Sequence, residues 1–260
     1  MLKVLRITKK VIKAFVPYGI IYLHYNKKKD QHYFERLYSD ALVGMNIGRG
    51  GDYNSSGEKW VVENIAEKYK DRSCITVFDV GANIGHYSGL LSTIMGNKAK
   101  IFSFEPSRYT FSVMEENTKG MGNIKRYNFG FSDKNTTLTL YFNEEGSGIA
   151  SVYKRNLEHF GIDMNIEEIV EMKTIDSFCE EKNIQKIDFL KLDVEGNELK
   201  VLEGAKNLMK SGNIEHIQFE FGGCNIDSRT YFQDFYYLLK GQYNIYRILK
   251  EGLFHIEKYK

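Results

Sequence analysis

Residues 75–88, ITVFDVGANIGHYS, constrain this chain more than any other stretch. Ile75 to Val80 is a short apolar run rich in β-branched residues, the pattern of a buried parallel strand. Gly81 and Gly85 bracket a turn, and Tyr87, Leu90, Leu91 and Ile94 then recur at helical spacing. Strand, glycine turn and helix open a nucleotide-type site in an open α/β sheet. The glycines allow a sharp turn and a close ligand approach, and the free N–H groups of the new helix would face that ligand.

A second strand, AKIFSFEPS at 99–107, ends in Glu105, twenty residues after Gly85. A carboxylate at the tip of the second strand can accept both hydroxyls of a ribose. An adenosine-containing ligand follows. In a dinucleotide fingerprint the middle glycine admits a pyrophosphate, but that position here is Asn83. A ligand without phosphates, such as S-adenosylmethionine, fits better.

Further on, IDFLKLD at 187–193 reads as the fourth strand, running into DVEGNE and a helix over 197–209 with apolar Leu199, Leu202, Ala205 and Leu208. Asp193, Glu195 and Glu198 crowd the corner where strands 1 and 4 diverge, the topological switch point. One acid there would serve as a helix cap; three exceed that need. The three blocks VFDVGANIGHYS, FSFEPS and IDFLKLDVEGNELKVLEGA, in this order, resemble FkbM-type methyltransferases, from about Gly57 to the C-terminus. The resemblance implies a class I enzyme using S-adenosylmethionine. Its fold would be α/β and doubly wound, a mostly parallel seven-stranded Rossmann-like sheet with helices on both faces and a hairpin inserted between strands 3 and 4.

The remaining segments complete that picture. Glu58–Tyr69 reads as a helix with Val61, Val62, Ile65, Ala66 and Tyr69 on one face, preceded by a glycine-rich loop over 44–57. That loop is a surface linker or a lid; the family's Tyr and Gly-Glu pattern points to a lid, with Tyr53 and Glu58 as candidates. A helix over 107–119 and a third strand over 123–129 follow. Thr136–Phe142 and Glu168–Ile175 read as the inserted strands, and the long segment between them carries Ser147, Ser151, Tyr153, Arg155 and His159. Long loops of this kind often carry function, so it is read as acceptor-binding, with a solvated surface loop as the alternative. A fifth strand over 216–221, a helix from Ser228 and a closing hairpin, 243–249 with 253–259, end the chain and would supply strands six and seven.

Methyl transfer from a sulfonium is an in-line displacement governed by positioning, and a hydroxyl acceptor benefits from a base. Gly81, Asn83 and Gly85 would shape the methionine side of the cofactor site. Asp79 would be reached through water, Glu105 would take the ribose, and Asp193 would lie near the methionine ammonium or the sulfonium. Tyr87, Ser88 and Pro106 belong to the same blocks. Asp133 or the Ser132 hydroxyl would accept from the adenine amine, unless SDKN is only a turn. Glu195, Glu220 and His86 are the base candidates. Asp193, Glu195 and Glu220 could hold a magnesium ion with oxygen ligands, but nothing in the spacing demands one. A divalent metal is an option, not an expectation.

Charge narrows the partners. Residues 1–29 carry eight Lys and Arg and no acid, which leaves 28 Lys and Arg against 34 Asp and Glu over 30–260. The main domain, taken as 44–260, is acidic and gives a nucleic-acid partner no support; a glycan or other hydroxylated small molecule is the expected acceptor. Residues 1–43 form a basic arm. Lys3, Arg6, Lys9, Lys10 and Lys13 fall in one arc of roughly 120° on a helical wheel. Such a helix lies on an anionic membrane surface, docks on a partner, or packs on its own domain. The apolar run after it is too short to span a bilayer, and a cleavable signal fits poorly. Three well-separated cysteines, with no C-x-x-C, point to a reducing compartment. The expected location is cytoplasmic, with peripheral contact at the inner membrane face, and the preferred acceptor is a bacterial surface glycan or its precursor. Two rival readings are a nicotinamide-dependent oxidoreductase and a non-catalytic module that kept the fold.

Overall fold

The computed structural model describes residues 26–48 and 52–259. The amphipathic helix expected at the start of the chain lies outside them, and of the expected membrane-contacting arm only residues 26–29 lie within them. The chain divides into two compact units, Met1–Arg49 and Gly50–Lys260. In the first, α1 (Gln31–Gly44) has no buried residue and leaves Leu37, Tyr38 and Val43 exposed.

The second unit begins with α2 (Tyr53–Ser56) and α3 (Glu58–Lys68). Then come β1 (Ile75–Val80), α4 (His86–Met95), β2 (Ala99–Phe104), α5 (Arg108–Asn117), β3 (Ile124–Tyr127) and β4 (Gly130–Phe131). They are followed by β5 (Thr136–Phe142), β6 (Ile166–Lys173), α6 (Ile175–Glu181), β7 (Ile187–Leu192), α7 (Glu198–Glu203) and α8 (Lys206–Lys210). The unit closes with β8 (Ile214–Phe219), α9 (Cys224–Ser228), α10 (Phe232–Leu239), β9 (Tyr246–Leu249) and β10 (Gly252–His255).

The central sheet has the order β3-β2-β1-β7-β8 and is parallel throughout, with Phe78 opposite both Phe102 and Leu190. Side chains alternate across the sheet. Phe78, Val80, Phe104 and Leu190 enter a core with Phe178 of α6 and Val201 and Leu202 of α7. Ile75, Val77, Ile101 and Phe189 enter another with Val62 and Ile65 of α3 and Leu91 and Met95 of α4. Burial on both faces explains why these strands read as continuous apolar runs. Phe178 meets Phe104 and Tyr127 edge-on, each at 5.1 Å between ring centroids, a favoured aromatic geometry.

Among the described residues the sheet therefore has five strands, not the expected seven. β9 and β10 pair antiparallel with each other in a separate two-stranded sheet. The segment leading into them reaches β8 by a side chain rather than a ladder, Tyr243 donating its hydroxyl to Ile214 O at 2.9 Å. The insertion is a three-stranded sheet, β4-β6-β5, rather than a simple hairpin: β5 and β6 run antiparallel and β4 runs parallel to β6. It buries its own cluster of Leu140, Phe142, Val170 and Met172.

Three local expectations are corrected. Ile175 does not end a strand but starts α6, because Thr174 Oγ1 accepts from Ser177 N at 3.0 Å and caps it. The helix over 197–209 breaks into α7 and α8 at Gly204, where a Cβ would lie 2.1 Å from Ser132 O. The loop expected over 44–57 contains α2, whose N-cap Asp52 accepts from Asn54 N. Gly57 then starts α3 at φ 93°, and a Cβ there would sit 2.1 Å from Leu249 O of β9. Trp60, the single tryptophan, is half-buried in the first turn of α3.

Candidate active site

β1 lies between β2 and β7, so the loops leaving β1 and β2 diverge from that leaving β7 at their carboxyl ends. A cleft of about 630 Å³, part of it open to solvent, occupies this corner. Gly81, Asn83, Glu105, Pro106, Asp193 and Glu195 line it. Gly85, Asp79, Tyr87 and Ser88 stand behind it, while His86 is exposed on the first turn of α4 and Glu220 lies beside Asp193 at the end of β8. Asp133 is turned away: it accepts from Lys200 Nζ at 3.3 Å and from Ser132 Oγ at 3.2 Å.

The turn after β1 is fixed by packing. Gly81 has φ 77°, and a Cβ on it would lie 1.8 Å from Asp193 O, so this glycine brings the β1 and β7 loops together. Gly81 N and Ala82 N donate to Phe104 O, Asn83 N donates to Glu105 Oε2 at 3.0 Å, and Gly85 N donates to Ala82 O. None of these four turn N–H groups is left for a phosphate. Glu105 Oε1 also accepts from Ser107 N at 2.9 Å. Burial pushes the Glu105 carboxyl up to about 7 against these two backbone bonds.

Behind the turn runs a buried polar tract. Ser88 Oγ donates to Asp79 Oδ2 at 2.6 Å and lies 2.7 Å from Ser103 Oγ. Lys191, 4% exposed inside β7, places Nζ 3.0 Å from Asp193 Oδ2, 3.6 Å from Asp79 Oδ1 and 5.0 Å from the centre of the Tyr87 ring. Burial disfavours its charge, but Asp193, Asp79 and Glu58 outweigh burial and hold the ammonium protonated. Tyr87 donates to Gln218 Oε1 at 3.2 Å, and Gln218 Nε2 donates to Glu58 Oε1 at 2.8 Å. Glu58 thus joins the tract, its carboxyl raised by burial. Sequence reasoning missed Lys191 and Gln218. The legible signal for Lys191 was a cation inside an otherwise apolar strand, where only a buried partner can keep it charged.

Asp193, Glu195 and Glu220 each bring an acidic oxygen within 4.8 Å of the other two. Burial opposes ionisation of Asp193, but Lys191 and the hydrogen bond with Glu220 hold its carboxyl below the usual range. Loss of hydration and the Asp193 charge push Glu220 upward. Burial and Asp193 push Glu195 up to about 7, against the pull of Arg155, whose Nη1 donates to Glu195 Oε2 at 2.6 Å. Two acids raised beside one held low gives an acid–base pair able to work near neutrality. An acidic cluster does not by itself establish a metal, and Lys191 and Arg155 already offset part of this charge.

The residues present fit an adenosyl cofactor. Asn83 Oδ1 is a buried acceptor with no hydrogen-bond partner among the described residues, on a side chain that lines the cleft. Glu105 stands across the mouth of β2, where a ribose would fall. Pro106, Phe131, Leu140, Ala150, Val152 and Met172 supply an apolar wall beyond it, suited to a flat base.

Comparison with known proteins identifies the family. The sequence profile of the Methyltransferase FkbM domain matches residues 79–247. Hexuronic acid methyltransferase AglP of Haloferax volcanii is 31% identical over 169 residues, 64% of this chain and 64% of that protein. The 2-O-methyltransferase NoeI of Sinorhizobium fredii is 25% identical over 152 residues, 55% of this chain and 62% of that protein. The match spans less than two thirds of the length of each relative. A solved S-adenosylmethionine-dependent O-methyltransferase from Thermotoga maritima is 12% identical over 76% of this chain and 60% of that one; its TM-score of 0.38 is too low to carry an argument.

Proposed function

The chain belongs to the FkbM methyltransferase family, and from that premise we propose that it transfers a methyl group from S-adenosylmethionine to a sugar hydroxyl. The observation that carries the reading is the pairing, across one cleft, of a ribose-type carboxylate with an acid–base cluster. Bound S-adenosylmethionine supplies a sulfonium-activated methyl group, so no covalent enzyme intermediate is required.

The roles follow from position. Glu105 accepts from the ribose hydroxyls. Asn83 presents its free carbonyl oxygen to the cofactor, with Gly81 and Gly85 setting the turn and Pro106 flanking the base. Asp193, kept ionised by Lys191, faces the cationic end of the cofactor; Asp79, Tyr87 and Ser88 hold that arrangement from behind. Glu195 takes the proton of the acceptor hydroxyl, and Glu220 is the second candidate. His86, exposed and outside the cleft, is the weakest. Names of relatives that include a hexuronic acid and a 2-O-methyl product support a sugar acceptor, and our preferred one is a bacterial surface glycan or its precursor.

The test is incubation with S-adenosylmethionine and a panel of uronic acids, hexoses and deoxyhexoses, following S-adenosylhomocysteine release and methylated sugar by mass spectrometry. Product with one class, abolished in Glu195→Gln and retained in His86→Ala, is the expected result. Binding of neither sulfur compound to the wild-type chain would overturn the reading. The basic residues of the first 29 positions support a second proposal, attachment to an anionic membrane surface. Among the described residues no helix is long and apolar enough to cross a membrane. Charge-neutralising Lys3, Arg6, Lys9, Lys10 and Lys13 together should abolish co-sedimentation with anionic liposomes; undiminished co-sedimentation would remove the proposal.

A further inference from the structure

Residues 147–155 of the insertion form a strap with two faces. Gly148, Ala150 and Val152 line the cleft. Ser151, Tyr153 and Arg155 reach instead onto the turn that follows β7. Ser151 Oγ donates to Glu195 O at 2.6 Å, the Tyr153 hydroxyl donates to Asn197 Oδ1 at 3.3 Å, and Arg155 Nη1 donates to Glu195 Oε2 at 2.6 Å. The segment is irregular, a turn at 148–149 and bends at 152–153 around a single bridge at Ser151, and the bends aim its side chains at two surfaces.

The strap is fixed at its middle and at its far end. Ser151 exchanges two backbone hydrogen bonds with Tyr141 of β5, at 2.8 and 3.0 Å. Asn156 N donates to Asp227 Oδ1 of α9 at 3.3 Å, and Arg155 Nε lies 3.5 Å from Asp227 Oδ2. The Arg155 side chain is only 10% exposed, pinned between the carboxylates of Glu195 and Asp227. At its start the strap also meets the turn after β1: a Cβ on Gly148 would contact Asn83 Nδ2 at 3.5 Å.

The turn it grips needs holding. Glu195 has φ 50° and Gly196 φ 106°. The left-handed region is disfavoured for a residue with a side chain and persists only where the surroundings impose it. The two hydrogen bonds to Glu195 and the one to Asn197 impose it from the strap side. Glu198, accepting from Val194 N and Gly196 N, does so from the helix side.

We propose that Ser151, Tyr153 and Arg155 are positioning residues for Glu195, and that cofactor in the cleft, pressing on Gly148, Ala150 and Val152, tightens the strap and thereby fixes Glu195 before the acceptor reacts. The proposal rests on Glu195 as the base and on S-adenosylmethionine as the cleft ligand. It makes readiness of the base conditional on cofactor occupancy, through contacts on opposite sides of one segment.

The experiment is amide hydrogen exchange of the full chain with and without S-adenosylhomocysteine. In the wild type the ligand should slow exchange at 81–85 and 147–155, and also at 193–198. In Tyr153→Phe/Arg155→Gln, ligand affinity should stay within about threefold of wild type and protection at 81–85 should persist, while protection at 193–198 is lost. Arg155→Lys should restore part of it. Equal protection of 193–198 in wild type and variant overturns the proposal, as does a wild type that binds ligand with 193–198 unprotected. No binding at all overturns the cofactor reading and the coupling together, so the two failures are distinguishable. If the double variant does not fold, Tyr153→Phe alone removes one hydroxyl and gives the same comparison. With a methylated acceptor in hand, Arg155→Gln should lower kcat by about a hundredfold with KM for the cofactor unchanged, a split that general loss of structure does not produce.

Discussion

A lysine inside a parallel strand keeps its charge only if its neighbours supply counter-charge, and Lys191 is held between Asp79 and Asp193 with the Tyr87 ring beside it. Removing one partner of a buried ion pair leaves the other uncompensated. Lys191→Met should therefore destabilise the fold by about 3–5 kcal/mol, read by urea denaturation. Asp79→Asn in the same chain should recover part of that loss; a double variant no more stable than Lys191→Met would show that Asp79 is not the partner. Glu105 carries a different prediction. Its carboxyl is raised to about 7, and only the ionised form can accept from both ribose hydroxyls. Affinity for S-adenosylhomocysteine should therefore rise between pH 6 and 8, and Glu105→Gln should remove that rise and weaken binding at pH 8 by about tenfold or more. Calorimetric titration at the two pH values checks both.

Among elements, the first strand was legible to the residue: Ile75–Val80 follows from a β-branched apolar run closed by Gly81, because burial on both faces leaves no other composition. Glu105 and Asp193 were legible for the same reason, as acids at the tips of apolar strands. Long-range pairing was not. Nothing in the residues of 243–259 says whether a hairpin joins a sheet edge or pairs with itself, since both need the same alternation. Nor could periodicity show the break at Gly204, where the backbone packs against the carbonyl of Ser132, seventy-two residues earlier in the chain. The strap residues Ser151, Tyr153 and Arg155 stood in a segment without regular structure, and their common target appears only once 195–197 is brought beside them. The β9–β10 hairpin gives a prediction at this scale. Gly57→Ala puts a Cβ against Leu249 O at a left-handed φ, and should cost on the order of 2 kcal/mol or more, seen as a lowered Tm. An unchanged Tm would mean that α3 and β9 separate freely.

Across the whole molecule, stability should fall as the solution moves from about pH 4.5 to 7. Glu105 and Glu195 are both raised to about 7 from an ordinary value of 4.5. The folded state then binds more protons than the unfolded chain across that window, so stability is full below it and lost through it. The loss is on the order of 1–3 kcal/mol for each group, and Glu105→Gln should flatten the curve measured by thermal or urea unfolding. Glu215 acts in the opposite sense at lower pH: burial opposes its charge, but Lys186, Arg72 and Lys68, within 3.2 Å of its oxygens, hold it ionised well into acid. The best pH for the folded state is therefore not that for cofactor binding, since the carboxylate that the ribose needs is one the fold prefers protonated. The placement of Trp60 supplies a separate optical handle on the start of α3. It is the chain's sole indole, two residues beyond Glu58 in the helix turn that carries the far end of the buried polar tract. Its intrinsic emission reports on the first turn of α3, without a dye or an introduced label. A stopped-flow trace of that emission after mixing with S-adenosylhomocysteine would show whether an occupied cleft is felt at α3.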